Sequence, residues 1–379
     1  MKILKVKALS GYKMLEEGFE INFLTKTRVD KDAPGDELIY LEENLPYPLQ
    51  TILVGKNSSG KTTALELIDI CLSLLKYGRI PKDTLFGENE LSLEILYHDN
   101  GKVYRYKGRF VNDSANPSFL LIEEESLEVS KLKPTHKKDL SNVSYSLVKG
   151  FVSNKGGDTS NIVKFNKSGA SFFINDSKEF DGIFKLLFSP SAQLFLSSSM
   201  DKLIHLFDDS IEYIRPFVKD GESGNAFLFK RIGKSEITVT EDFLESHLSE
   251  GTKRGLLLYG LSIIAFTMGG HVIVDEIEAH FNRNLIANLI LMFNDRSINK
   301  KGASLIYSTH YSELLDESGR CDNINVLHRD GNKISIMNMH SDYKTRTDML
   351  KSSLFDQNAF DNLLNYDRLM ELKGELRKS

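Results

Sequence analysis

Gly55-Lys56-Asn57-Ser58-Ser59-Gly60-Lys61-Thr62 matches the pattern G-x-x-x-x-G-K-[ST] at every position. Glycines let the backbone turn so that successive N–H groups point inward at phosphate oxygens. A helix opening near Lys61 adds its positive dipole end. Lys61 brings a point charge to the β- and γ-phosphates of a nucleotide, and the Thr62 hydroxyl ligates Mg²⁺. The flanks agree. Leu49–Val54 is a short apolar run that suits a buried parallel strand. From Thr62 to Tyr77, apolar residues recur at Leu65, Ile68, Leu72 and Leu75, the spacing of a helix face. A Gly/Ser loop that matches by chance is the competing reading, and the strand before and helix after weigh against it. The expected contacts to ATP are Gly55, Asn57, Ser58, Ser59, Gly60, Lys61, Thr62 and Thr63.

His271-Val272-Ile273-Val274-Asp275-Glu276 is an apolar strand that ends in two carboxylates. This is the Walker B arrangement. Asp275 would hold Mg²⁺, directly or through water, and Glu276 would polarise an attacking water. If strand geometry persists, the two side chains point to opposite faces. Alone, such an ending is also what a solvated strand terminus looks like. Before it stands Leu248-Ser249-Glu250-Gly251-Thr252-Lys253-Arg254, followed by a helical run through Leu256, Leu257, Leu258, Leu261 and Ile264. The bland reading of Ser249 is an ordinary helix N-cap. After it comes Ser304-Leu305-Ile306-Tyr307-Ser308-Thr309-His310, a second short strand closing on a histidine.

Taken in order, these four motifs resemble the ABC-type ATPases of the SMC/RecF/OLD-like group. The likeness covers about residues 1–110 and 235–340. It implies an α/β P-loop NTPase, an ABC-type ATPase head with an antiparallel β subdomain and a helical lobe. Leu248–Arg254 resembles the signature usually written LSGGQ or LSxGE, departing at Glu250 and Thr252. In that family Ser249 and Gly251 would bind the γ-phosphate of ATP held by another protomer. His310 would be the switch histidine, and Lys61, Glu276 and His310 the catalytic set. Glu278-Ala279-His280-Phe281 falls where the D-loop sits, whose usual task is contact across a dimer. A Q-loop is not evident, and Gln193 could serve. The resemblance therefore implies a homodimer or higher homo-oligomer built through the ATP sites. The Ser-Thr-His ending at Ser308–His310 and the stretch Asp275–Glu278 look closest to stand-alone bacterial ATPases of the anti-phage kind, acting on a separate effector such as a nuclease or toxin. Two other readings stay open: a RecF-like DNA-repair ATPase, and an ATP-dependent scaffold with little turnover.

Working outward, the 379 residues divide into an expected ATPase lobe at 1–110, an inserted lobe at 111–235, a second ATPase lobe at 236–340 and a helical tail at 341–379. Residues 90–174 look β-rich, with candidate strands at 91–97, 103–110, 119–122, 145–152 and 162–165. From 178 to 217 the pattern is helical, with Ile211 and Ile214 among its apolar members. Cys71 and Cys321 exclude a disulfide framework and a cysteine-rich zinc site and fit a reducing, cytoplasmic setting. No run reaches the roughly 18 apolar residues of a membrane span, and the N-terminus lacks the apolar run of a signal peptide. A net charge of −5 gives no bulk attraction to nucleic acid. Local basic features remain: Lys131–Lys138, and the alternating Arg105, Lys107 and Arg109, which could line a nucleic-acid groove. Because the chain is acidic overall, a solvated loop and a solvated strand face are the favoured reading of the two. Tyr12 is a candidate for stacking on adenine.

Overall fold

The run Gln50–Val54 is buried at every residue, as a strand covered on both faces must be. It is strand β5 of a six-stranded sheet whose order is β10-β14-β15-β5-β16-β17. The other members are Ala170–Ile174 (β10), Gly270–Val274 (β14), Ser304–Thr309 (β15), Ile324–Asp330 (β16) and Lys333–Asn338 (β17). All neighbours pair in parallel except the β16–β17 hairpin. This computed structural model describes residues 1–27, 29, 37–43, 45–85, 87–114, 116–131, 140, 143–166, 170–175, 182–219, 222–345, 349–356, 370 and 373–376.

A second sheet is antiparallel, in the order β2-β1-β6-β7-β8-β9. It comprises Lys2–Ala8 (β1), Phe19–Asn22 (β2), Glu90–Asp99 (β6), Lys102–Val111 (β7), Leu121–Lys131 (β8) and Ser146–Leu147 (β9). Between the two sheets runs Lys61–Tyr77 (α1). It touches β1 on one side and β10, β14 and β15 on the other. That position explains why Ala64, Leu65, Leu67, Ile68, Cys71, Leu72, Leu74 and Leu75 are all buried, more than one helix face could be. Leu38–Glu42 (β3) and Leu45–Pro48 (β4) form a small hairpin.

On the far face of the parallel sheet lies a helical lobe, Ile183–Leu187 (α2), Pro190–Leu196 (α3) and Met200–Phe207 (α4), packed on the long Glu250–Met268 (α6). A three-stranded sheet of Ile211–Lys219 (β11), Glu222–Arg231 (β12) and Ile237–Thr240 (β13) leads into Glu241–His247 (α5). Arg283–Asn294 (α7) packs on β15, and Lys351–Asp356 (α8) lies near the chain's end. Each fully buried Leu, Ile or Phe of α6 adds about 1.5–3 kcal/mol. The fold is thus an α/β P-loop architecture carrying an antiparallel β subdomain and a helical lobe. Among the described residues no helix is long and apolar enough to cross a membrane.

Several local expectations are corrected. Ile211 and Ile214 belong to β11 and not to a helix. Pro216 would break a helix interior, whereas β11 is an edge strand and tolerates it. Residues 162–165 are not a strand, since Asn161–Lys164 is a 3₁₀ turn capped by Ser160. Of 145–152, only Ser146 and Leu147 pair. The strand expected at 119–122 starts at Leu121 and runs on to Lys131 as β8. Ala170–Ile174, unassigned from sequence, is the edge strand of the central sheet. The basic run at 132–138 and, within the expected helical tail, residues 346–348, 357–369, 371–372 and 377–379 lie outside the described residues.

Candidate nucleotide site

The phosphate loop spans the gap between β5 and α1. Gly55 and Gly60 take φ values of 156° and 97°, which side chains rarely adopt. Space excludes a side chain as well: a Cβ on Gly55 would press on Leu327 O at 2.7 Å, and one on Gly60 would run into the Ile334 side chain. The β16–β17 hairpin therefore sets the loop's shape from outside. Ser58 adopts φ 62°, and the Ser59 hydroxyl is buried without a hydrogen-bond partner among the described residues.

Lys61 is 5% exposed. Its Nζ donates to Gly55 O at 3.0 Å and Lys56 O at 3.1 Å and lies 3.5 Å from His310 Nδ1. Burial pushes the ammonium down to about 8, against the opposing pull of Asp275, Glu276 and Glu278. Thr62 Oγ1 donates to Asp275 Oδ2 at 2.7 Å, and Ser308 Oγ donates to Asp275 Oδ1 at 2.6 Å. Thr62 and Asp275 thus present adjacent hard oxygens at the helix start, a donor set that fits Mg²⁺ completed by phosphate oxygens and water.

The carboxylate pair departs from strand geometry. β14 ends at Val274, and Glu276 sits at φ 46° in the left-handed region. Asp275 is buried while the Glu276 side chain is half exposed. The turn separates the two carboxylates more sharply than alternation along a strand would. It is held from below. Arg254 Nη2 donates to Asp275 O at 2.9 Å and Glu276 O at 2.8 Å, and Glu276 N donates to Ser308 Oγ at 2.7 Å. His310 Nε2 lies 3.3 Å from Glu276 Oε1. Burial also draws the Arg254 guanidinium below its ordinary value.

The structure brings Lys61, Thr62, Asp275, Glu276 and His310 together; Thr63 follows in the first turn of α1, and Asn57 is exposed on the loop. It does not bring Ser249 and Gly251 to this loop. Ser249 caps α6, accepting from Thr252 N at 3.0 Å and lying 2.8 Å from Thr252 Oγ1. A Cβ on Gly251 would touch His280 O at 3.0 Å, so the start of α6 lies against the segment after Glu276. Gln193 lies in the helical lobe, where its amide donates to Leu187 O at 2.8 Å. Tyr12 is buried with its hydroxyl on Thr84 O, which removes it from any stacking role. On β7, Arg105 pairs with Glu128, Lys107 with Glu94 at 3.2 Å, and Arg109 with Glu90 and Glu123. That basic row is neutralised by both neighbouring strands. Sequence reasoning missed the roles of Ser308, Arg254 and Glu278, whose partners lie far along the chain.

Residues 51–316 match a protein family described as "AAA domain, putative AbiEii toxin, Type IV TA system". The chain belongs to this AAA domain family. The matched span runs from β5 past His310, so Lys61, Thr62, Asp275, Glu276 and His310 all fall inside it, while the β16–β17 hairpin lies beyond it. Among solved structures, the SMC head domain from Thermotoga maritima is similar at 14% identity and a TM-score of 0.45, with 89% of this chain and 99% of that one covered. No curated protein sequence matches the chain. The chain thus carries an AAA-type ATPase domain.

Proposed function

We propose that the chain binds Mg·ATP on the phosphate loop, closes head-to-tail with a second copy around two ATP molecules, and hydrolyses them. We further propose that this cycle regulates a separate effector, a nuclease or toxin of bacterial anti-phage defence. The observation that carries the ATPase reading is the convergence of Lys61, Thr62, Asp275, Glu276 and His310 at the end of one parallel sheet. The toxin–antitoxin wording of the family description supports the defence setting.

Each residue has a task that its surroundings allow. Loop N–H groups and Lys61 hold phosphate oxygens. Thr62 and Asp275 hold Mg²⁺, which when bound offsets phosphate charge. Glu276, exposed at its turn, orients the attacking water and draws its proton. His310, within reach of both Lys61 and Glu276, hydrogen-bonds the γ-phosphate side of the site. In α6, the N–H groups of Glu250 and Gly251 have no partner among the described residues. A free helix N-terminus of that kind favours an anion, here a phosphate presented by a second copy.

Light scattering on a sizing column tests the reading with Glu276→Gln, with and without Mg·ATP. The expected result is a doubled mass with Mg·ATP that is absent in Lys61→Ala. A monomer under both conditions would overturn the dimer, and phosphate release from the unaltered chain tests hydrolysis independently.

A further inference from the structure

Glu278 stands two residues past Glu276, in the stretch whose expected task was contact with a second copy. Its side chain turns inward instead, and the residue is 9% exposed. Oε1 accepts the backbone N–H of His310. Oε2 is buried and, among the described residues, has no hydrogen-bond partner. A carboxylate taken out of water and left half satisfied does not favour folding. Such a group, placed inside a cluster of site residues, points to function.

The bond it does make falls at a decisive place. Thr309 ends β15, and the chain turns at His310, with Tyr311 N donating to Thr309 Oγ1 at 3.0 Å. Glu278 fixes the amide at that turn, and the imidazole beyond it reaches Lys61 on one nitrogen and Glu276 on the other. The charge of Glu278 also acts on Lys61 and Arg254.

We propose that Glu278 is a positioning residue for ATP turnover, holding the His310 backbone so that its imidazole stays between Lys61 and Glu276. This rests on the hydrolytic reading above. Displacing a group by about 1 Å costs up to roughly 100-fold in rate. The test measures steady-state ATP turnover and, separately, the Kd of a fluorescent ATP analogue. The variants are Glu278→Ala, Glu278→Asp, Glu278→Gln, His310→Ala and the double variant Glu278→Ala/His310→Ala.

Glu278→Ala and Glu278→Asp are expected to lower kcat roughly 10- to 100-fold while KM and Kd stay within about twofold. Glu278→Asp keeps the charge but cannot span to the amide, and it serves if the alanine variant does not fold. Glu278→Gln keeps an acceptor oxygen and should remain within about threefold of the unaltered chain. In the His310→Ala background, Glu278→Ala should add nothing further, because both changes remove the same arrangement. A full additional loss in that background would assign Glu278 a structural role and overturn the proposal. So would turnover of Glu278→Ala and Glu278→Asp equal to that of the unaltered chain, which leaves the ATPase reading standing. Bound nucleotide without turnover in the unaltered chain would overturn both.

Discussion

Arg254, one turn into α6, donates from Nη2 to the carbonyl oxygen of Glu276 at 2.8 Å and to that of Asp275 at 2.9 Å. The helix that begins at Ser249 is thereby tied to the backbone on which Glu276 sits at φ 46°. A left-handed non-glycine residue costs about 1–3 kcal/mol, and these bonds offset it. Arg254→Met should destabilise the fold by about 2–4 kcal/mol, because two buried acceptors lose a charged donor. Arg254→Lys should recover less than half of that, lacking the planar fork. Denaturant midpoints measure both, and a methionine variant as stable as the parent would refute the role.

Burial holds the Lys61 ammonium at about 8. Phosphate oxygens would favour its charged form and raise that value. Binding therefore takes up a proton as pH rises above about 8, and affinity for Mg·ATP falls there by at most about tenfold per pH unit. Calorimetry in two buffers of different ionisation enthalpy at alkaline pH should show the uptake. Lys61→Arg should bind without it, since a guanidinium stays charged.

A Cβ on Gly255 of α6 would collide with the ring of Phe207. That ring is penned edge-on to Tyr259 at 5.3 Å and beside Phe281 at 6.3 Å. Gly255→Ala should therefore cost about 1–3 kcal/mol by overpacking, although alanine is the better helix former by about 1 kcal/mol. Phe207→Leu in the same chain should return part of the loss. Thermal unfolding of the single and double variants decides it.

Lys2 is buried with its ammonium on Gly270 O at 2.7 Å and over the Tyr47 ring, and burial lowers it to about 7. His271, buried beside it and accepting from Ile3 N, is likewise held well below its ordinary value by burial. The unfolded chain binds the Lys2 proton more readily than the folded one between about pH 7 and its ordinary value of 10.5. Stability from this residue therefore rises with pH across that window, by at most about 1.4 kcal/mol per unit. Lys2→Met should flatten the rise, and Gly270 O keeps the Ser304 hydroxyl at 3.2 Å as a partner. Denaturation at several pH values between 7 and 10 tests this.

The cradle at Gly55–Thr62 was legible because everything it needs is local: glycines for left-handed backbone, a strand before and a helix after. Asp275, Glu276 and His310 were legible for a related reason, since each closes a short buried strand and strand ends of a parallel sheet meet on one side. Ile211 and Ile214 misled because their spacing also suits a helix, and pairing with β12 outweighs that local preference. Ala170–Ile174 has no local mark of its place, since its parallel partner lies about a hundred residues on.

Sequence alone determined the phosphate loop, the acidic pair and the order of motifs along the chain. Only the tertiary structure decided how Glu276 is turned, what anchors it and what holds His310. Arg254, Ser308 and Glu278 act through hydrogen bonds to backbone atoms or carboxylates brought near by the packing of α6 and β15. Such bonds depend on distance and direction in space, and neither quantity is written in the spacing of residues.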